Sequence, residues 1–127
     1  KLAFSEDGAM LAAATISDGA VVWRMDSEQP IRLFIEGHPQ VDEVVFSKDG
    51  KYLFVGYHNG RVYVWDIEQN EVVRKLVCHG DQITGLLVTD DGSRIVTCSA
   101  SDSRLRVWDW QTGQKCAEFD LGLNGIS

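Results

Sequence analysis

The sequence has little of what marks several large classes of protein. It contains two prolines, three cysteines and no apolar run near the ~18 residues of a membrane-spanning helix, so we expect no membrane contact. Twelve Lys and Arg residues are scattered among nineteen Asp and Glu residues, and the formal net charge is −7. Because phosphate backbones are bound by clustered cations, the sequence predicts no direct binding of nucleic acid.

The cysteines point to free thiols. Cys78, Cys98 and Cys116 are odd in number, and their gaps of 20 and 18 residues fit neither a disulfide framework nor a C-x-x-C metal site. We therefore predict free, buried thiols in a reducing compartment, cytoplasmic or nuclear. There is no glycine-rich phosphate loop, and we expect no cofactor and no metal.

Two independent landmarks recur with a period of 42 or 43 residues. They are the tryptophans Trp23, Trp65 and Trp108 and the turn glycines Gly8, Gly50 and Gly92. The segments around the glycines also match, reading FSEDG at 4–8, FSKDG at 46–50 and VTDDG at 88–92. This agreement predicts an internal repeat, with one structural unit in each period.

Each unit is predicted to contain four short antiparallel strands. In the second unit, apolar residues alternate roughly with polar ones, and the turn pairs Asp49–Gly50 and Asn59–Gly60 are typical of tight hairpins. The predicted strands of this unit are 41–46, 51–57, 61–65 and 72–76. Ala12–Ala14 of the first unit favours helix by propensity, but it aligns with strand residues of the other units and is predicted as strand. The predicted units are 1–36, 37–77 and 78–119, with 120–127 beginning another.

The chain resembles the WD-repeat family, in which a Gly-His pair begins and a Trp-Asp pair ends a four-stranded unit of this length. Gly37–His38 precedes Trp65–Asp66, and the reversed pair His79–Gly80 precedes Trp108–Asp109. The resemblance covers essentially the whole chain and implies an all-β fold of about three propeller blades. Because propellers close with about 4–8 blades, we expect a larger closed ring. Further blades of the same parent chain or a second copy would complete it.

The resemblance also implies a hydrogen-bond network of His, Ser or Thr, Asp and Trp that ties the loops of a blade together. The third unit offers His79, Thr97 or Ser99, Asp102 and Trp108. The second unit offers His38, Asn59 and Trp65, but Val55 stands where the hydroxyl belongs. We therefore expect a complete network only in the third unit, and blades of unequal rigidity.

The same residue types allow an enzymatic alternative. His79, Ser99 and Asp102 match a hydrolase triad in name. However, the sequence has no G-x-S-x-G elbow that would expose a nucleophile, and the resemblance implies that these groups are buried. We therefore predict that the chain is not an enzyme.

Partners of such propellers commonly dock on the loops before the first strand and between the second and third strands of a blade. The partner-binding candidates on these loops are Gln40, Asp42, Tyr57, His58, Asp81 and Gln82. Tyr57 stands out because aromatic residues are favoured at interface centres. Trp110 is a second candidate on the opposite face, with packing between blades as the other interpretation.

The sequence thus predicts a scaffold that binds other proteins or peptides, with basic or mixed peptides suited to the acidic chain. The alternative is a purely structural segment of a large assembly that makes its contacts along the outer strand at 72–76.

Overall fold

A computed structural model of the protein describes residues 1–15, 19–27, 29–33, 40–99 and 101–120. The described residues form three four-stranded antiparallel sheets. The first blade contains β1 (Leu2–Phe4), β2 (Met10–Ala14), β3 (Ala20–Arg24) and β4 (Pro30–Leu33). The second contains β5 (Val41–Phe46), β6 (Tyr52–Tyr57), β7 (Arg61–Asp66) and β8 (Glu71–Val77). The third contains β9 (Gly85–Val88), β10 (Arg94–Ser99), β11 (Arg104–Asp109) and β12 (Gln114–Asp120).

Each sheet is a meander, because every strand pairs with the next one along the chain. Among the first strands, β5 contacts both β1 and β9, so these three strands form the inner edge of the three blades. The predicted all-β propeller-blade fold is confirmed, including a strand rather than a helix at Ala12–Ala14. No helix able to cross a membrane occurs in the part of the chain that the structure describes.

The turn between the first and second strands is built in the same way in each blade. A hydroxyl donates to the aspartate two residues later, from Ser5 to Asp7 (2.8 Å), from Ser47 to Asp49 (2.7 Å) and from Thr89 to Asp91 (2.8 Å). The glycine that follows each aspartate has a positive φ of 73–76°, which only glycine adopts at little cost. The recurrence of Ser or Thr, then Asp, then Gly in these turns therefore has a local physical cause.

The core consists of two apolar layers, one between each pair of neighbouring blades. Side chains alternate along β6, so Leu53 and Val55 face the first blade and Phe54 faces the third. Val62 and Val64 of β7 also face the third blade, as their spacing predicts. Packing between blades is thus the main apolar contact that holds the segment together.

The outer flanks of the first and third blades remain uncovered. Leu2 and Phe4 of β1 are 69% and 63% exposed. Val44 and Phe46 have the same register in the second blade, where β5 pairs with β6 as β1 pairs with β2, and these two side chains are buried. On the other flank, Leu87 and Phe119 are 65% and 54% exposed. The same strand positions are therefore buried where a neighbouring blade covers them and exposed where none does among the described residues.

Candidate functional site

The third blade contains the complete hydrogen-bond network. His79 Nδ1 lies 2.7 Å from a carboxylate oxygen of Asp102, and His79 Nε2 lies 3.0 Å from Thr97 Oγ1. The Trp108 indole NH donates to the same Thr97 hydroxyl oxygen at 3.0 Å. The hydroxyl partner is therefore Thr97 and not Ser99, which resolves the alternative that the sequence leaves open.

The direction of each hydrogen bond follows from the acceptors. A carboxylate can only accept, so His79 donates from Nδ1 to Asp102. In the neutral imidazole, Nε2 is then an acceptor, and the Thr97 hydroxyl donates to it. Thr97 thus accepts from Trp108 and donates to His79, and the polar groups of this buried set are satisfied.

Arg106 is a member of this cluster that the sequence pattern did not reveal. Its guanidinium donates to the backbone carbonyl of Cys78 and to Glu118, and lies 3.6 Å from Asp102. Burial raises the pKa of Asp102, but the hydrogen bond from His79 and the positive charge of the nearby Arg106 outweigh it, and the net pKa is lowered. The cluster therefore holds an ionised Asp102 and ties the loop at 78–79 to the third blade.

The hydrolase alternative finds no support in this geometry. The His79 side chain is fully buried, and both of its nitrogens are already paired within the network. The Ser99 hydroxyl pairs instead with Ser101, at 3.0 Å. The hydroxyl that does meet the imidazole is that of Thr97, which is fully buried and also accepts from Trp108. The set His79, Thr97, Asp102 and Trp108, which we call the polar clasp, therefore has the geometry of a buried structural network.

The second blade is built differently at the equivalent positions. Val55 replaces the hydroxyl, and Asn59 uses its side-chain oxygen to accept from the Arg61 amide within its own turn, at 3.2 Å. The Trp65 indole instead neighbours the hydroxyl of Tyr57. His38, the remaining candidate, lies outside the described residues. An aromatic cluster thus occupies the place that the polar clasp occupies in the third blade.

The candidate Tyr57 requires a correction. It is only 1% exposed, and its ring packs edge-on against Tyr63 with 4.9 Å between the centroids. Burial raises the pKa of its phenol to about 12, against the opposing effect of the Trp65 side chain. Alternation along β6 turns this side chain into the layer between the first and second blades, so it cannot present its ring to a partner.

The candidates Gln40, Asp42 and His58 form one chain of hydrogen bonds at the surface. The Gln40 amide donates to one Asp42 oxygen at 3.0 Å, and His58 Nδ1 lies 2.9 Å from the other. The backbone NH of His58 also donates to the Gln40 carbonyl at 2.8 Å. The His58 side chain is 48% exposed and that of Asp42 is 16% exposed. Because the Asp42 carboxylate accepts a hydrogen bond from Nδ1, Nε2 of the neutral His58 imidazole is left as a hydrogen-bond acceptor in a fixed position.

A β-bulge places Asp42 in this position. Val41 pairs with Tyr57 and Glu43 pairs with Gly56, so Asp42 is the extra residue in β5. An extra residue breaks the alternation of side chains and re-aims the bulged one. The bulge therefore brings Asp42 to His58, which lies just beyond the end of β6.

The candidates Asp81 and Gln82 lie on the neighbouring loop. This loop abuts the hairpin that follows His58, because the Gly60 carbonyl accepts from the amides of Cys78 and His79 at 3.1 and 3.0 Å. Asp81 is exposed and Gln82 is partly exposed. The five candidates Gln40, Asp42, His58, Asp81 and Gln82 thus share one face, which we call the loop face.

Trp110 packs between blades. It is 7% exposed and lies against Tyr52 and Phe54 of the second blade, with ring centroids 5.3 and 5.1 Å away. Its indole NH donates to the Gly92 carbonyl at 3.1 Å. Of the two interpretations that the sequence offers for Trp110, the structure selects packing.

The three thiols are free, as predicted, but they are not all buried. Cys78 is buried, Cys98 is partly buried and Cys116 is exposed. Burial raises the pKa of Cys78 to about 12. Within the described ranges, no group of three or more His, Cys, Asp or Glu side chains is placed to hold a metal ion.

Sheet topology and the polar clasp together define the class of the molecule as WD-type propeller blades. A family model described as "Anaphase-promoting complex subunit 4 WD40 domain" matches residues 2–91. This match covers more than half of the chain, and the chain belongs to this family of WD40 domains. Domains of this kind serve in general as protein-interaction propellers.

Curated relatives also share the repeat. The chain is 32% identical over 101 residues to WD repeat and SOCS box-containing protein 1 of Takifugu rubripes, covering 75% of this chain and 23% of that protein. It is 31% identical over 125 residues to Echinoderm microtubule-associated protein-like 2 of Rattus norvegicus, covering 95% of this chain and 19% of that protein. The chain thus spans about a fifth of the length of these relatives.

Proposed function

We propose that this chain is a scaffold segment whose loop face binds other proteins or peptides without turnover. The observation that carries this proposal is the Gln40–Asp42–His58 chain of hydrogen bonds. Fixed polar groups beside solvent lose little side-chain entropy when a partner binds, which favours recognition. The buried Tyr57 supports this surface from below, because it is the last residue of β6 and anchors the chain directly before His58.

The charges on the loop face favour a basic or mixed peptide as partner. Among the described side chains, no Lys or Arg lies within ion-pair distance of Asp42 or Asp81. Other carboxylates are already paired, such as Asp102 with Arg106 and Glu118 with Arg104. A partner with Lys or Arg would supply the missing cations and donate to His58 Nε2.

The exposed flanks support a second part of the proposal, which is that further blades complete the propeller. Leu2 and Phe4 on one side and Leu87 and Phe119 on the other would be covered by further blades. These blades come from the same parent chain or from a second copy, and the much greater length of the relatives favours the first source. The free thiols favour a reducing, cytoplasmic or nuclear setting.

A peptide-display selection on the chain tests the proposed function. We expect selected peptides to be enriched in Lys and Arg, and the double variant Asp42→Ala/His58→Ala to bind them at least about tenfold more weakly, a loss of about 1.4 kcal/mol. The matched control is Val73→Thr on the outer strand β8, which should bind within about twofold of the parent chain.

The reverse pattern contradicts the proposal. If the outer-strand variant loses binding while the loop-face variant keeps it, the alternative of a structural segment that makes contacts along β8 is favoured. Retained amide dispersion in the NMR spectrum of both variants separates a local effect from unfolding.

A further inference from the structure

A polar cavity lies between the first and second blades, on the face opposite the loop face. Its volume is about 410 Å³. It is lined by Arg24, Gly50, Lys51, Tyr52, Asp66, Ile67 and Glu68. The end of β3 and the two turns of the second blade therefore bring four charged side chains to one depression.

The next boundary between blades shows why the cavity exists. In the repeat, Ile67 corresponds to Trp110 and Gly50 to Gly92. Trp110 occupies its boundary, where its ring packs at a tilt against Tyr52 and its indole NH donates to the Gly92 carbonyl. Ile67 is buried in the same type of layer but is smaller and carries no donor, so the equivalent space beside Gly50 stays open.

Arg24 also departs from the repeat. The second and third blades have Asp66 and Asp109 after the tryptophan, and these carboxylates accept from amides of the turn that follows, such as Gln69 NH at 3.0 Å and Gln111 NH at 3.0 Å. The first blade places Arg24 there, and a guanidinium cannot accept. Arg24 therefore has no capping role and is exposed at the cavity instead.

The charges of the cavity are complementary, but they form no ion pairs with one another. Arg24 and Lys51 line it together with Asp66 and Glu68, yet none of these four described side chains lies within 4.0 Å of an oppositely charged group of another. Two cations and two carboxylates that are held apart suit a guest that carries both charges. The guanidinium fork of Arg24 is suited to a carboxylate, which it can bind through two parallel hydrogen bonds.

We propose that this cavity is a second peptide-binding site, distinct from the loop face, that takes an acidic and a basic side chain two positions apart, on the same side of an extended partner segment. Arg24 and Lys51 bind the acidic side chain, and Asp66 and Glu68 bind the basic one. The site does not depend on the loop face, since it shares none of its residues.

NMR titration of the chain with the peptide acetyl-Gly-Glu-Gly-Lys-Gly-amide, whose charged side chains share one side when it is extended, tests this site. We expect saturable shifts of the Gly50, Lys51 and Ile67 amides, and dissociation constants at least about fivefold higher for control peptides in which Gln replaces either Glu or Lys. Equal affinity for the three peptides, or no shift at these amides, overturns the proposal.

Two variants provide matched controls. Arg24→Asp restores the residue that the other blades have, so it should fold, keep the loop face unchanged and lose the charge-dependent binding. Ile67→Trp copies the third blade and should fill the cavity, which also removes binding. If Arg24→Asp binds the peptide as tightly as the parent chain, the site is refuted, whether or not Ile67→Trp folds.

Discussion

The backbone carbonyl of His79 occupies the space that a Cβ atom on Gly60 would need. A Cβ built on Gly60 would lie 2.1 Å from the His79 oxygen and 2.6 Å from that of Asp81, and the φ of Gly60 is +87°. This contact joins the hairpin of the loop face to the loop that carries the polar clasp. Two blades therefore share one close backbone contact beneath the proposed binding surface.

Gly60→Ala should destabilise the chain strongly, because the methyl group meets backbone atoms that cannot move aside. We expect a loss of about 3 kcal/mol in the free energy of unfolding, measured by urea denaturation. The control is Gly8→Ala, which has a similar φ of +74° but no atom within 4 Å of the added Cβ. It should lose only about 1 kcal/mol. Equal losses would contradict the close contact.

Thr97→Val should break the clasp of the third blade. The Trp108 NH and His79 Nε2 would both lose their partner in a buried site, which costs about 1–3 kcal/mol. Val55 already occupies the equivalent position in the second blade, so valine fits the strand and the loss reports the hydrogen bonds. Thr97→Ser keeps the hydroxyl and should retain most of the stability. If valine and serine cost the same, the network does not stabilise this blade.

Asp102 should make the stability of the chain depend on pH. Its pKa in the folded state is lowered from 3.8, so its stabilising effect is present above pH 3.8 and is lost as the pH falls through the folded value. Asp102→Asn should therefore lower the free energy of unfolding by about 2 kcal/mol at pH 7. This difference from the parent chain should shrink below pH 3.8, as followed by urea denaturation at each pH. A difference that stays constant to pH 2 would contradict the lowered pKa.

The thiols should react in the order of their exposure. Cys116 is exposed, whereas Cys78 is buried and its pKa is raised to about 12. At pH 8, a thiol reagent should modify Cys116 first and Cys78 only after unfolding, because the thiolate is the reactive form. Mass spectrometry of the labelled peptides gives the order. Early labelling of Cys78 in the folded chain would contradict its placement.

Much of the fold could be predicted because it depends on local patterns. The strands of the second blade could be predicted to within about one residue from its turn glycines, which have positive φ, and its alternating apolar residues. The repeat also gave the right prediction, a strand, for Ala12–Ala14, where helical propensity alone would have been misleading. The clasp residues followed from the family resemblance, but choosing Thr97 over Ser99 required the register between strands.

The candidate surface was harder to predict because it depends on contacts between strands. Tyr57 and His58 are neighbours in sequence, yet strand alternation buries the first and leaves the second at the surface. The contact of Asp42 with His58 depends on a bulge, and no turn residue in the sequence marks it. Arg106 and Arg24 depart from the repeat without a motif of their own. Their roles become visible only beside Asp102 and the cavity at Ile67.

Site-specific photo-crosslinking tests the loop face most directly. The photoreactive residue p-benzoylphenylalanine would replace Gln82 on the loop face in one sample and Val73 on the outer strand β8 in another, within cells that express the chain. We expect a discrete crosslinked protein from position 82, which disappears when Asp42→Ala and His58→Ala are added. Crosslinks from position 73 alone, or crosslinks at 82 that persist in the double variant, would contradict this expectation.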